Sequence, residues 1–186
     1  IKMLPQVDMI LDKGYEVLYL TEYLDEFVIK ILNSYKEKTF VNVTDKKLDV
    51  ETEEEKEKIE KVNTKFNDML TLMHDAIKDK VTEVKFTNKL KKHPVCLTSV
   101  GELSLEMEKV INSMPAESDK VKAEVILEIN DSHPISKKLK ALYKDDDKKE
   151  LAKYTKILYN QARLLSGLNV DNPSELTDLI CEMIAR

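Results

Sequence analysis

The last forty residues constrain the fold more than any other stretch. "DDKKELAKYTKILYNQARLLSG" is followed by "DNPSELTDLICEMIAR", two amphipathic helices separated by a short turn. Gly167 suits the left-handed residue after the first helix, Asn172 can cap the second, Pro173 suits its first position, and Glu175 can reach back to complete a capping box. In the first helix Leu151, Tyr154, Leu158, Ala162 and Leu165 recur at helical spacing, and Ile157 and Leu164 widen the stripe. In the second, Leu176, Leu179, Ile180, Met183 and Ile184 do the same. Two consecutive antiparallel helices with such wide apolar faces need more cover than a few short strands supply. They either lie on their own sheet or meet a second copy as a four-helix bundle.

The rest of the chain is mixed. Residues 4–13 predict a short helix ended at Gly14, "YEVLYL" (15–20) a buried strand, and Thr21 the cap of a helix running through "EYLDEFVIKILNSYK" with Leu24, Phe27, Val28, Ile31 and Leu32 on one face. "TFVNV" (39–43) reads as a short extended segment. The charge run 44–61 is either the exposed start of a helix or an acidic linker; Ile59, Val62, Phe66, Met69, Met73 and Ile77 then make one long amphipathic helix joining two units. "TEVKFT" (82–87), "PVCLTS" (94–99) and "KAEVILEIN" (122–130) predict three strands, and "HPISKKLKALY" a short helix. The fold class is therefore α/β in the α+β sense: a small α-β-α unit, then a three-stranded sheet with an inserted amphipathic helix and two C-terminal helices.

The inserted helix, "GELSLEMEKVINSMP" (101–115), raises the functional question. Leu103, Met107, Val110, Ile111 and Met114 fall on one face, rich in methionine and free of aromatics. Core packing is the commonplace explanation of such a stripe; a flexible thioether is equally suited to gripping varied apolar partners.

Composition narrows the partners. Apolar residues make up 42% of 186 and charged residues 35%, with three glycines, so a helix-rich fold with a real core is expected. A net charge of −5 offers no basic excess for a phosphate backbone, and the small cluster Lys89, Lys91, Lys92 reads as a solvated edge, so nucleic acid is not expected. No apolar run approaches the ~18 residues of a membrane span. Cys96 and Cys181 lie far apart and read as reduced thiols of a cytoplasmic protein, Cys96 as an inert strand residue. No glycine-rich phosphate loop occurs, and His74, His93 and His133 lack metal-ligand spacing. A Cys96/His133 nucleophile pair has no support in the pattern. Catalytic and metal residues are expected to be none, and a binding or assembly module is the reading that remains.

"KGYEVLYLTEYLDEFVIKIL", "LEIN" followed closely by His133, and "LYNQARLLSGLNVDNPSELTDLICEMI" resemble, in order and spacing, the 90-kDa heat-shock protein chaperones, with the bacterial branch, HtpG, the closer match. That resemblance implies that residues 1–50 form the end of a middle domain and 51–186 a C-terminal dimerisation domain. The opening "IKMLPQ" then reads as the middle of a longer chain. ATP and magnesium are expected only in a missing N-terminal domain, so this stretch is expected not to be an enzyme and to hold no cofactor. The expected partners are a second copy, through Leu151, Tyr154, Leu158, Ala162, Leu165, Leu176, Leu179, Ile180, Met183 and Ile184, and unfolded client proteins. The resemblance assigns client contact to Leu103, Met107, Val110 and Ile111, and to the stretch around Glu26, Phe27 and Lys30, where Phe27 replaces a tryptophan usual in some members. It implies that the 101–114 helix is partly exposed. The alternative is a purely structural dimerisation adaptor, which requires Leu103, Met107 and Ile111 to be fully covered within the protomer.

Overall fold

The computed structural model describes residues 4–114 and 120–185; Pro115, which closes the stretch quoted above, lies outside them. Its centre is a three-stranded sheet. The strands are β3 (Glu83–Thr87), β4 (Val95–Val100) and β5 (Glu124–Asn130), in the order β3-β5-β4; β3 runs parallel and β4 antiparallel to β5. The middle place falls to "EVILEIN", every residue of which but Glu124 is buried. In the register, Lys85 and Cys96 both pair with Glu128, whereas Val84 and Leu97 both pair with Leu127. One face therefore carries Val84, Phe86, Val95, Leu97, Leu127 and Ile129, all in the main core. The other carries Lys85, Cys96, Ile126 and Glu128.

Helices cover the first face. They are α3 (Glu53–Lys65), α4 (Asn67–Asp75), α6 (Pro134–Lys144) and α7 (Lys148–Leu165), with α8 (Pro173–Ile184) lying on α7. The single long helix expected from the charge run through Ile77 is broken at Phe66, whose φ and ψ are −109° and 19°. There the Phe66 ring meets the Phe86 ring edge-on at 6.2 Å, and the new direction carries Met69, Leu70 and Met73 into the core. Just before the break, Asn63 closes the outer edge of β3: its Oδ1 accepts from Phe86 N–H (2.7 Å) and its Nδ2 donates to Phe86 C=O (3.1 Å). The charge run starts its helix only at Glu53, where Thr52 and Glu55 form a full capping box. The capping box expected at α8 is half made. Asn172 accepts from Glu175 N–H, while the Glu175 carboxylate instead pairs with Lys156 of α7 at 2.7 Å.

The first fifty residues depart furthest from expectation. α1 (Val7–Asp12) forms and ends at Gly14 (φ 81°). Residues 15–20 form no strand, and Tyr15, Leu18 and Tyr19 are exposed. Among the described residues no backbone lies alongside to pair with them, and an unpaired run of β-formers has nothing to hold it as a strand. α2 (Asp25–Leu32) begins later than Thr21; Asp25 Oδ2 accepts the N–H groups of Thr21 and Glu22 instead. A two-residue hairpin joins β1 (Ser34–Tyr35) to β2 (Lys38–Thr39), with Lys36 and Glu37 both at positive φ, in place of an extended 39–43. Residues 44–46 then run along the outer edge of β4: Ser99 N–H donates to Thr44 C=O (2.7 Å) and Lys46 N–H to Ser99 C=O (3.0 Å). The lysine cluster is not a uniform solvated edge, because Lys89 is mostly buried against Leu48 C=O and Glu51.

Candidate protein-contact surfaces

The inserted helix is α5 (Leu105–Ser113). Gly101 (φ 85°) turns the chain out of β4, and Ser104 caps the helix by accepting from Met107 N–H at 3.1 Å. Side chains then pin it along its length. Glu108 accepts from Ala123 N–H, Asn112 exchanges two hydrogen bonds with Val121, and Lys109 reaches both Glu106 and Ser166 C=O. The periodic stripe is split by this docking. Val110 is buried, as is Leu105, which the stripe had not included; Leu103, Met107 and Ile111 are half-buried, and Met114 is exposed. The full cover that a client-free adaptor requires is not met.

α2 lies beside α5. Lys30 binds both the carbonyl and the carboxylate of Glu102, the latter at 3.1 Å, and holds that carboxyl below its ordinary range. Glu26 accepts from Asn42 Nδ2 at 2.7 Å, and Phe27 is half-buried. The stripe on one face of this helix points mostly outward. Leu24, Val28, Leu32 and Ile31 are exposed, Ile31 by 88%, and α2 buries no residue fully. The i, i+3, i+4 pattern was visible in the sequence; its orientation was not.

α7 divides its apolar residues between two neighbours. Leu151, Leu158 and Ala162 lie in the core against the sheet, Leu151 with 1% of its surface exposed, and Tyr154 packs partly on the same core. Three residues expected at an intermolecular interface thus leave no side chain for a second copy to touch. The opposite side of α7 carries the ion pairs to α8, Lys153 with Glu182 and Lys156 with Glu175, the latter holding the Glu175 carboxyl low. α8 has Leu176, Leu179, Ile180 and Met183 half-buried, Ile184 79% exposed, and no residue fully buried. Leu165 is half-buried, and Leu164 adds 55% exposure next to them. The turn between the helices is fixed by Asp171, which pairs with Arg163 (2.9 Å) and Lys80 (3.3 Å).

Chemistry is not assembled at any of these places. Cys96 is buried, and burial beside Glu128 pushes its thiol well above the ordinary range, which opposes nucleophilic use. His133 is occupied as the cap of α6, its Nδ1 accepting from Ile135 N–H. Gly14, Gly101 and Gly167 lie at three separate turns. No helix among the described residues is long and apolar enough to cross a membrane.

A mixed three-stranded sheet with an inserted amphipathic helix and a C-terminal helix pair is the architecture the sequence pattern predicts, and comparison with known proteins supplies the family. A family profile described as Hsp90 protein matches residues 1–186, and the chain belongs to that family. Within it the bacterial HtpG branch is the match. The chain is 45% identical to chaperone protein HtpG of Bacillus subtilis (strain 168) over 184 residues. It is 46% identical to that of Clostridium botulinum (strain 657 / Type Ba4) over 184 residues, and 46% identical to that of Clostridium perfringens (strain 13 / Type A) over 185. Each match covers 99% of this chain and 29% of the relative.

Proposed function

We propose that these residues are the dimerisation and client-contact region of an ATP-dependent, cytoplasmic Hsp90-class chaperone. In this reading residues 1–50 end its middle domain, 51–186 form its C-terminal domain, and nucleotide chemistry is served by sequence outside both. The observation that carries the reading is α8: five apolar residues on a capped twelve-residue helix, none fully buried, beside an exposed Leu164. Helices keep such a face only where something covers it, and a second α7–α8 pair is self-complementary to it. Leu165, Leu176, Leu179, Ile180, Met183 and Ile184 form that interface, with Leu164. The clients are non-native chains. The half-buried Leu103, Met107 and Ile111 and the exposed stripe of α2 around Phe27 offer them apolar surface on adjacent helices, with Glu26 at its polar margin.

Light scattering on the purified chain tests the first part: a mass near twice 21.5 kDa at micromolar concentration is expected, and a monomer refutes it. Suppression of the aggregation of a chemically unfolded protein, lost in Met107→Glu/Ile111→Glu with circular dichroism unchanged, tests the second.

A further inference from the structure

β3 is an edge strand whose outer side is only partly served. Phe86 bonds outward to Asn63 through both its N–H and its C=O, whereas Thr87 C=O accepts inward from Asp131 N–H, just past the end of β5. Backbone groups alternate in direction along a strand, so Glu83, Lys85 and Thr87 bond toward β5 while Val84 and Phe86 face out. The N–H and C=O of Val84 therefore point away from the sheet, and among the described residues neither has a partner there. The opposite edge of the sheet is better covered: Thr44 and Lys46 pair with Ser99, and Gln6 Nε2 donates to Leu97 C=O at 3.2 Å.

The open pair lies in a cleft. Beside the break at Phe66, α3, α4 and β3 border a cavity of about 590 Å³ whose lining includes Asn63, Asn67, Asp68, Glu83, Val84 and Lys85. Asn63 shows what this edge accepts. With one donor and one acceptor it makes to Phe86 the pair of bonds that a neighbouring strand would make. Val84 is the next such position, two residues and about 7 Å along. The charges around it are unbalanced. Lys85 already faces Glu128 at 3.0 Å and His74 faces Asp75 at 3.8 Å, but Asp68 and Glu83 are exposed and have no ion-pair partner among the described residues. The lining is left negative.

We propose that this cleft binds a short, extended, basic peptide by strand addition at Val84. One peptide residue exchanges both backbone bonds with Val84, as in an antiparallel pair, and the basic side chains answer Asp68 and Glu83. The residue opposite Val84 turns its side chain to the α4 side, and its two neighbours turn theirs to the side of Glu83. The fitting segment therefore alternates small or apolar residues with lysine or arginine. A second copy of this chain is a poor occupant, because its own Glu83 would meet a cleft of the same sign. The site uses backbone and charge, and it stands independently of the apolar surfaces assigned above to dimerisation and client contact.

A fluorescein-labelled seven-residue peptide of alternating lysine and valine, with valine at its centre, is titrated into the chain and followed by anisotropy. Saturable binding is expected. Methylating the valine backbone nitrogens should weaken it roughly tenfold or more, because the N–H that reaches Val84 C=O is lost; methylating the lysine nitrogens, which face away, should not. Asp68→Lys/Glu83→Lys, both at exposed positions, should weaken it roughly tenfold, and Glu54→Lys/Glu57→Lys, the same change of charge on α3 outside the cleft, should leave it unchanged. Hydrogen exchange at the Val84 amide should slow on saturation, with that at Phe86, already bonded to Asn63, unaffected. Any of four results overturns the proposal: no saturation at millimolar peptide, binding that tolerates methylated valines, equal effects of the two double substitutions, or an unchanged Val84 amide at saturation. Protection of the Val84 amide that rises with protein concentration in the absence of peptide also overturns it, in favour of a second copy.

Discussion

Ile184 and Leu151 separate what the C-terminal helices do within one chain from what they do between two. Both belong to the apolar pattern that points to a dimer, but Ile184 is 79% exposed and Leu151 1%. Ile184→Ala removes three carbons, about 2.4 kcal/mol of transfer free energy at ~0.8 per buried carbon. Given its exposure in the single chain, ~1.9 kcal/mol of that is available to a partner. Two-fold symmetry repeats the loss, so the dimer loses up to ~4 kcal/mol, a several hundred-fold rise in Kd. The protomer should hardly notice. Leu151→Ala behaves in the opposite way: its side chain fills the protomer's core, so ~2–5 kcal/mol of folding stability goes, with no direct change at the interface. Sedimentation equilibrium over a nanomolar to micromolar series reads the first quantity, and urea unfolding of a dilute, monomeric sample reads the second. An unchanged Kd for Ile184→Ala would refute the assignment of the α8 face to a second copy. Equal effects of the two substitutions on Kd would refute the division of α7 into a sheet side and an α8 side.

Asn63→Ala should cost about 1–3 kcal/mol, because it leaves the N–H and C=O of Phe86 on the outer edge of β3 without partners; urea denaturation measures it, and a loss below a few tenths would show that water replaces the amide. Glu55 titrates at about 2, held down first by Thr52 N–H and then by Lys13. Since the folded value lies below the unfolded one, its stabilisation of the α3 start is complete above pH ~4.5 and fades as pH falls toward 2; carboxyl carbon shifts should show the low midpoint, and Lys13→Ala should raise it. Gly167→Ala should destabilise, because φ is 68° and the added Cβ meets Lys109 Nζ at 3.3 Å, loosening the Lys109 contact to Ser166 C=O; thermal melts and exchange of the α5 amides read this.

What could be read in advance divides by whether a residue's partner was near in the pattern. β3, β4 and β5 were legible within a residue or two because short β-rich runs bounded by polar turns have few other solutions. Gly14 and Asn172 were legible because their roles are local. The failures were questions of orientation. Leu24, Val28, Ile31 and Leu32 form as clean a helical stripe as any in the chain, yet they face outward. "YEVLYL" has the composition of a buried strand and, among the described residues, no strand beside it. Glu175 was free to close its own capping box and met Lys156 across the helix pair instead. Phe66 sits in register with a continuous helix, and only the ring of Phe86, twenty positions on, explains why the helix turns there.

The same distinction governs the contact surfaces. Periodicity identifies which residues of a helix share a face, but a helix with two apolar sides must divide them, and the division depends on the area each neighbour offers. The sheet takes Leu151, Leu158 and Ala162 of α7, because a core face lined by Val95, Leu97 and Leu127 lies directly against them. Among the described residues α8 packs chiefly on α7, which covers one side of a helix. On α5 Leu105 and Val110 are buried, and side-chain hydrogen bonds from Glu108 and Asn112 fix its rotation, so Met107 and Ile111 are left part in and part out. The exposed apolar surface is therefore what the sheet could not cover once its one good face was full. It includes residues of α2, α5 and α8 and of the segment between α1 and α2.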